Sequence, residues 1–293
     1  MEWDIIRYNS LRQLAEIVID IDSAKYSDVG VELFPGGSGS LPTTPVRGNP
    51  ARVFIKTDFI PACLEFLKSI PNPFHLLSGS SDLSGCNTHE FAKWMRENTR
   101  IQTWCGNNLQ EWEPWMLCIP IGFEERGRTG REPENLIGLF QHRNEPKEID
   151  IYLPYLGATH ASRTTLVSRL RADHPRVTIE HERLSFTNYI NKLSRSRYVI
   201  CPRGNGMDTL RCYEAAAAGA IPIVLRNELW PMYRRLGFVI VQSIEEIDGL
   251  PKYAAFDTDV TMRLSFSYIS NQIFLHQMTN LRTDFAYSPG NTE

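Results

Sequence analysis

Between Tyr198 and Glu214 the chain reads Tyr-Val-Ile-Cys-Pro-Arg-Gly-Asn-Gly-Met-Asp-Thr-Leu-Arg-Cys-Tyr-Glu, and few backbone routes can follow that order. Tyr198 to Cys201 is a short run of strand-forming residues, and Pro202 cannot continue a sheet ladder. Gly204-Asn205-Gly206 then supplies the unusual backbone angles that a sharp turn needs. From Met207 to Ala218 the sequence permits a helix, Gly219 is placed to cap its C-terminus, and Ala220 to Leu225 reads as a second buried strand. Strand, glycine turn, helix and strand make half of a doubly wound α/β domain, and the four alanines Ala215 to Ala218 let the helix lie close on its sheet. In such folds ligands sit beyond the carboxyl ends of the strands, where the next helix offers free N–H groups and its positive dipole end to a phosphate.

Arg203, Asp208, Arg211 and Glu214 fall in or just after that crevice. Arg211 and Glu214, three apart on a helix, could by themselves be a surface ion pair. The turn in front of them favours a binding site instead. Neither the dinucleotide fingerprint G-x-G-x-x-G nor the P-loop G-x-x-x-x-G-K-[ST] occurs here, so the pattern points to a nucleoside diphosphate without saying which.

The rest of the chain alternates in the same way. Arg52 to Thr57 reads as a strand ending at Asp58, Pro61 to Ser69 as a helix, and Phe74 to Leu77 as a strand entering Ser78-Gly-Ser-Ser-Asp82. A helix over Thr88 to Glu97, a strand near Ile101 to Trp104 and an apolar run at Met116 to Ile121 complete a first α/β unit. Gly127 to Asn135 is a polar connector. Leu136 to Phe140 and Ile149 to Leu153 open a second unit, followed by a helix from Ser162 to Arg171, a strand from Val177 to Glu180 and a helix from Thr187 to Ser194. The resulting division is residues 1–134, 135–258 and a returning C-terminal helix in 259–293. Two Rossmann-like α/β domains facing a central cleft are expected. The helix predicted from Met262 to Leu281 carries Phe266, Ile269, Ile273, Phe274 and Met278 at core spacing. Leu11 to Ile21 fits either a short helix or a strand, and Pro35 to Pro45 is loop by composition.

A net charge of −3 offers no concentrated basic face for a nucleic acid, and no apolar run reaches the length of a membrane span. The six cysteines contain no C-x-x-C pair, which excludes the usual structural zinc spacing and favours free thiols. No basic-then-apolar leader occupies Met1 to Gln13 and no N-x-[ST] sequon occurs, so a cytoplasmic location is expected.

The run from Cys201 to Ala215, followed by Gly219-Ala-Ile-Pro-Ile-Val, resembles the nucleotide-sugar signature of the exostosin-like glycosyltransferases, S-P-x-G-N-G-x-D-T-x-R-x-W-E-A before a G-x-I-P-I-V strand. The dense part of the match spans roughly thirty residues, with looser similarity from Arg52 to about Asp248. It is most similar to the short, soluble, xylosyltransferase-like members found in large algal DNA viruses. Tyr213 stands where the pattern has Trp, and Arg203 where proline is frequent.

The resemblance implies a GT-B fold and an inverting, metal-independent enzyme that takes a sugar from a UDP-sugar, UDP-xylose being the preferred donor, to a hydroxyl of a glycan, preferably one containing fucose. No cofactor is expected. It places Arg163, Arg203, Gly204, Asn205, Gly206, Asp208, Arg211 and Glu214 at the donor, with Arg163 and Arg211 beside the diphosphate and Glu214 on the ribose hydroxyls. As a helix residue alone, Arg163 is equally well read as a surface arginine. Fixed cations suit a leaving group whose charge rises as the glycosidic bond breaks. Asp20-Ile-Asp22 and Asp257-Thr-Asp259 have the D-x-D spacing of metal-dependent relatives, but a structural reading is preferred for both, and Asp before a helix serves as a cap. The acceptor needs a base. Asp82 is preferred because Ser78-Gly-Ser-Ser-Asp82-Leu-Ser resembles a family loop of the type H-x-S-D, with Asp58 as the alternative. His75 reads as a packed histidine, whereas His142 and His160 are placed in the cleft without a role.

Overall fold

The computed structural model describes residues 10–20, 32–35, 52–82, 88–124, 138–170, 174–252 and 263–280. Six strands form the first sheet: β1 (Ile17–Asp20), β2 (Glu32–Pro35), β3 (Arg52–Lys56), β4 (Phe74–Gly79), β5 (Ile101–Gly106) and β6 (Met116–Cys118). They lie in the order β2-β1-β3-β4-β5-β6, all parallel. The second sheet holds β7 (Ile149–Leu153), β8 (Val177–Ile179), β9 (Ser196–Ile200), β10 (Ile221–Leu225) and β11 (Val239–Val241) in the order β11-β10-β9-β7-β8, again all parallel. Both are Rossmann-like. The helices between strands are α1 (Leu64–Ser69), α2 (His89–Asn98), α3 (Ala161–Arg169), α4 (Phe186–Ser194), α5 (Leu210–Ala217) and α6 (Trp230–Leu236), with α7 (Phe266–Thr279) following β11. No described helix is long and apolar enough to cross a membrane.

Parallel strands need covered faces on both sides, and the side-chain period of two delivers them. Val53 and Ile55 join one core of the first sheet while Phe54 between them joins the other. In the second sheet Ile151 and Leu153 face one core and Tyr152 the opposite one. Ala215 to Ala218 are all fully buried, and α5 lies on β10 and against α4, as the small side chains predict. Gly219 follows the helix at φ +76°, and its N–H bonds to the carbonyl of Ala216. A Cβ there would meet the Arg143 carbonyl oxygen at 2.2 Å, so no other residue fits this turn.

Several boundaries differ from the sequence reading. Leu11 to Ile21 is neither helix nor strand alone: a 3₁₀ turn over Ser10–Leu14 runs into β1, which pairs with both β2 and β3. The helix predicted from Pro61 begins as a 3₁₀ turn and becomes α-helical only at Leu64. In α7 the core spacing is half right. Ile269 and Ile273 pack on the first sheet beside Leu77 and Cys105, but Phe274 and Met278 are 52% and 62% exposed. The buried row runs i, i+4 through Ile269, Ile273 and Gln277, and a residue one step further along lies about 100° around the helix from it. Gly127 to Asn135, Cys86, Asp22, Asp257 and Asp259 fall outside the described residues. The five described cysteines are free thiols.

Candidate functional site

The second sheet reverses its winding between β7 and β9, since β8 lies beyond β7 on one side and β9, β10 and β11 follow on the other. At such a point the loops leaving the two strands diverge and leave a crevice. Two cavities occupy it. One of about 280 Å³ is lined by residues that include Asp82, Glu124, Arg163, Gly204, Arg211 and Glu214. The other, of about 310 Å³, lies among Tyr155, Glu180, Leu184, Phe186, Tyr189 and Arg211, and Thr159 and Arg211 line both. Asp82 lies in the loop after β4, so the first cavity draws on both sheets.

The glycine turn after β9 is not built on unusual angles. Neither Gly204 nor Gly206 lies in the left-handed region, which corrects the sequence expectation. Close approach requires them instead. A Cβ on Gly204 would stand 3.2 Å from a guanidinium nitrogen of Arg163, and one on Gly206 would stand 3.2 Å from both Asn108 Nδ2 and Asp82 Oδ1. The helix then starts at Leu210 rather than Met207, because Thr209 caps it by accepting the N–H of Arg211.

Three arginines expected at one ligand have three different settings. Arg203 folds back on its own turn, donating to the carbonyls of Gly204 and Asn205, and does not line the cavity. Arg163 lines it but donates to the carbonyls of Arg203, Gly157 and, at 3.5 Å, Pro202, so it ties the β7 loop to the β9 loop. Burial, with the nearby Arg211 charge, lowers its pKa to about 10, still cationic at neutral pH. Arg211 donates from one nitrogen to the Tyr155 carbonyl at 3.0 Å, while its buried Nε and Nη1 have no hydrogen-bond partner among the described residues. Neither Arg163 nor Arg211 forms an ion pair among the described residues. Two adjacent guanidiniums repel, and two buried donors without acceptors cost free energy. An anion bound between the cavities would remove both penalties.

Glu214 is 1% exposed, and its Oε2 accepts the Tyr189 hydroxyl at 2.8 Å. Glu214 lines one cavity and Tyr189 the other, so this bond marks their junction. Asp208, expected at the donor, lines the cavity at 3% exposure but commits both oxygens to the protein. Oδ1 accepts from Thr209 N at 2.8 Å and the Tyr233 hydroxyl at 3.3 Å, and Oδ2 from Ile121 N at 3.0 Å and the Tyr213 hydroxyl. The Tyr that replaces the pattern's Trp thus supplies a donor to this knot. Burial pushes the Asp208 carboxyl up to about 6 against the pull of those donors.

Asp82 is exposed at the cavity wall, whereas Asp58 sits 3.5 Å from the Lys56 ammonium, lines neither cavity and caps no helix. His75 bonds to the Thr103 hydroxyl at 2.9 Å, and its pKa is lowered to about 4 mainly by burial. His160 caps α3 through Nδ1, and His142 pairs with Glu145 away from the crevice. Glu124, Thr159, Tyr155, Tyr189 and Asn108 escaped the sequence reading.

Unmatched cations at the switch point of a parallel α/β sheet suit a phosphate-bearing ligand, and the chain is similar to a transferase family over this same region. Residues 158–230 match the family model of the RXYLT1 C-terminal domain, which is xylosyltransferase-like and related to the exostosins. That span runs from before α3 to the start of α6 and holds Arg163, the glycine turn, Arg211 and Glu214. No curated protein matches the chain.

Proposed function

We propose that the chain is a GT-B glycosyltransferase that moves a sugar from a uridine diphosphate donor to a glycan hydroxyl, with inversion and without a metal ion. The observation that carries this reading is the pair of buried, unmatched donors Nε and Nη1 on Arg211, beside the Arg163 cation. The diphosphate lies on those guanidiniums near the start of α5, the ribose falls at Glu214, and the base enters the cavity of Tyr155, Leu184 and Phe186. The acceptor oxygen attacks the anomeric carbon from the side of Asp82, which takes its proton. The bond to the diphosphate breaks on the far side, and UDP leaves with its new charge on the arginines. Asp208 positions the turn rather than touching the donor.

Xylose is the first donor and a fucose-containing oligosaccharide the first acceptor to test. A thermal-shift screen of nucleotide sugars against the purified chain, followed by mass spectrometry of acceptor mixtures, tests the reading. UDP-sugars should raise the melting temperature and one should yield a glycosylated acceptor. Stabilisation by no nucleotide sugar would reject the donor site.

A further inference from the structure

Asn108 ends the loop step after β5 at φ +52°, a backbone conformation that Asn tolerates better than most side chains, and it is 1% exposed. Its two amide ends reach in different directions. Nδ2 donates to the carbonyl of Ser81 at 3.1 Å, on the residue before Asp82. Oδ1 accepts the backbone N–H of Asp208 at 2.8 Å, two residues past Gly206 in the glycine turn. One side chain therefore spans from the loop of the first sheet that carries the proposed base to the loop of the second sheet that precedes the donor helix. Gly206 closes against it, since a Cβ there would be 3.2 Å from Nδ2 and from Asp82 Oδ1 alike.

Further ties between the two sheets lie elsewhere. Arg235 donates Nη1 to Glu111 at 3.0 Å and Nη2 to the Cys118 carbonyl at 3.2 Å, and Asp208 takes Ile121 N, and none of these bonds ends on Ser81 or Asp82. Arg12 Nη2 also donates to Ser80 Oγ in this loop at 3.0 Å, from within the first unit, whereas Asn108 links the loop to the glycine turn. Ser80, in the same loop, also lies at positive φ (58°), so this loop has backbone angles that local sequence does not favour and that packing must maintain.

We infer that Asn108 is a positioning residue that sets the distance between Asp82 and the donor turn, so that base and bound sugar are in register. The inference rests on the function proposed above, and its test separates the two. Asn108→Gly keeps the left-handed backbone and loses both bonds. Asn108→Asp keeps an acceptor for Asp208 N–H but loses the donor to Ser81.

With an active wild type, Asn108→Gly should lower kcat by about 10- to 100-fold, the range expected of a small misplacement, with UDP affinity within about threefold of wild type. Amide exchange read by NMR gives a measure that needs no turnover. The Asp208 N–H should lose protection in Asn108→Gly and keep it in Asn108→Asp, while amides in the strands of both sheets stay unchanged. Unchanged Asp208 protection in Asn108→Gly, or a fall in kcat matched by an equal fall in UDP affinity, would overturn the inference. A wild type inactive on every UDP-sugar would reject the functional reading, and the exchange result would still decide whether Asn108 holds the turn.

Discussion

Replacing Arg211 by Ala separates a ligand-binding role from a structural one, because the two predict opposite effects on the free protein. Among the described residues this guanidinium makes one hydrogen bond, to the Tyr155 carbonyl, and keeps Nε and Nη1 buried without partners. Losing that one bond costs about 0.5–1.5 kcal/mol, and removing two unsatisfied buried donors returns a similar amount or more. Relief of repulsion against Arg163 adds to the gain. The free variant should therefore unfold within about 1 kcal/mol of wild type, or be the more stable. Binding should respond strongly. Two charge-assisted hydrogen bonds to a diphosphate at about 1.5–3 kcal/mol each put the loss near 3–6 kcal/mol, or roughly 10²- to 10⁴-fold in affinity. Uridine lacks the phosphates and should lose no more than about threefold. Calorimetry with UDP and uridine, beside urea unfolding, reads all three quantities. Equal losses for both ligands, or a variant destabilised by several kcal/mol with UDP affinity intact, would refute the reasoning.

Glu214→Ala should weaken UDP binding by roughly 1.5–3 kcal/mol, the range for a charged hydrogen-bonding group, and unchanged calorimetric affinity would remove Glu214 from the ribose. Asp82→Asn should cut turnover by about 10²- to 10⁴-fold with donor affinity kept. Initial rates on Asp82→Asn and Asp58→Asn decide between the two carboxylates, and near-normal turnover in the first with a dead second would move the base to Asp58. Burial raises the Asp208 carboxyl from 3.8 to about 6, so the native state holds more protons than the unfolded chain between those values. This group's contribution to stability is full below pH 3.8 and is lost as pH rises through 6. The stability deficit of Asp208→Asn relative to wild type should accordingly shrink by about 2–3 kcal/mol from pH 4 to pH 7, as urea unfolding would show. A constant deficit would contradict the shift.

What the sequence disclosed was local. Tyr198 to Leu225 reads as strand, turn, helix and strand because its period, its proline and its glycines lie within a few residues of one another, and β9, α5 and β10 follow that order. The small-residue run Ala215 to Ala218 equally announces close packing. Long-range pairings left no such trace. Asn108 and Asp208 are a hundred residues apart and meet through one hydrogen bond, and nothing around Asn108 distinguishes it from any other loop asparagine. Arg203 and Arg211 are the same residue type eight positions apart, yet one curls onto its own carbonyls and the other faces the cavities. That difference depends on where the turn leads each side chain. Residue type also misled on backbone angles: the glycines of the turn are ordinary in φ, and the left-handed residues by the crevice are Ser80 and Asn108. The short strands β1 and β2 were obscured because strands of four residues beside a glycine-rich stretch of sequence give little periodicity to read.

The most direct test of the central claim is a transfer assay with UDP-xylose and fucose-containing oligosaccharides in excess chelator, read by mass spectrometry and by UDP release. The expected result is an acceptor heavier by one transferred sugar, one UDP released for each product molecule, and a rate unaffected by the chelator. UDP released without glycan product would make the chain a hydrolase on this scaffold. Nucleotide binding without turnover would make it a binding protein, and a rate restored only by manganese would contradict the arginine arrangement and return attention to the two D-x-D pairs.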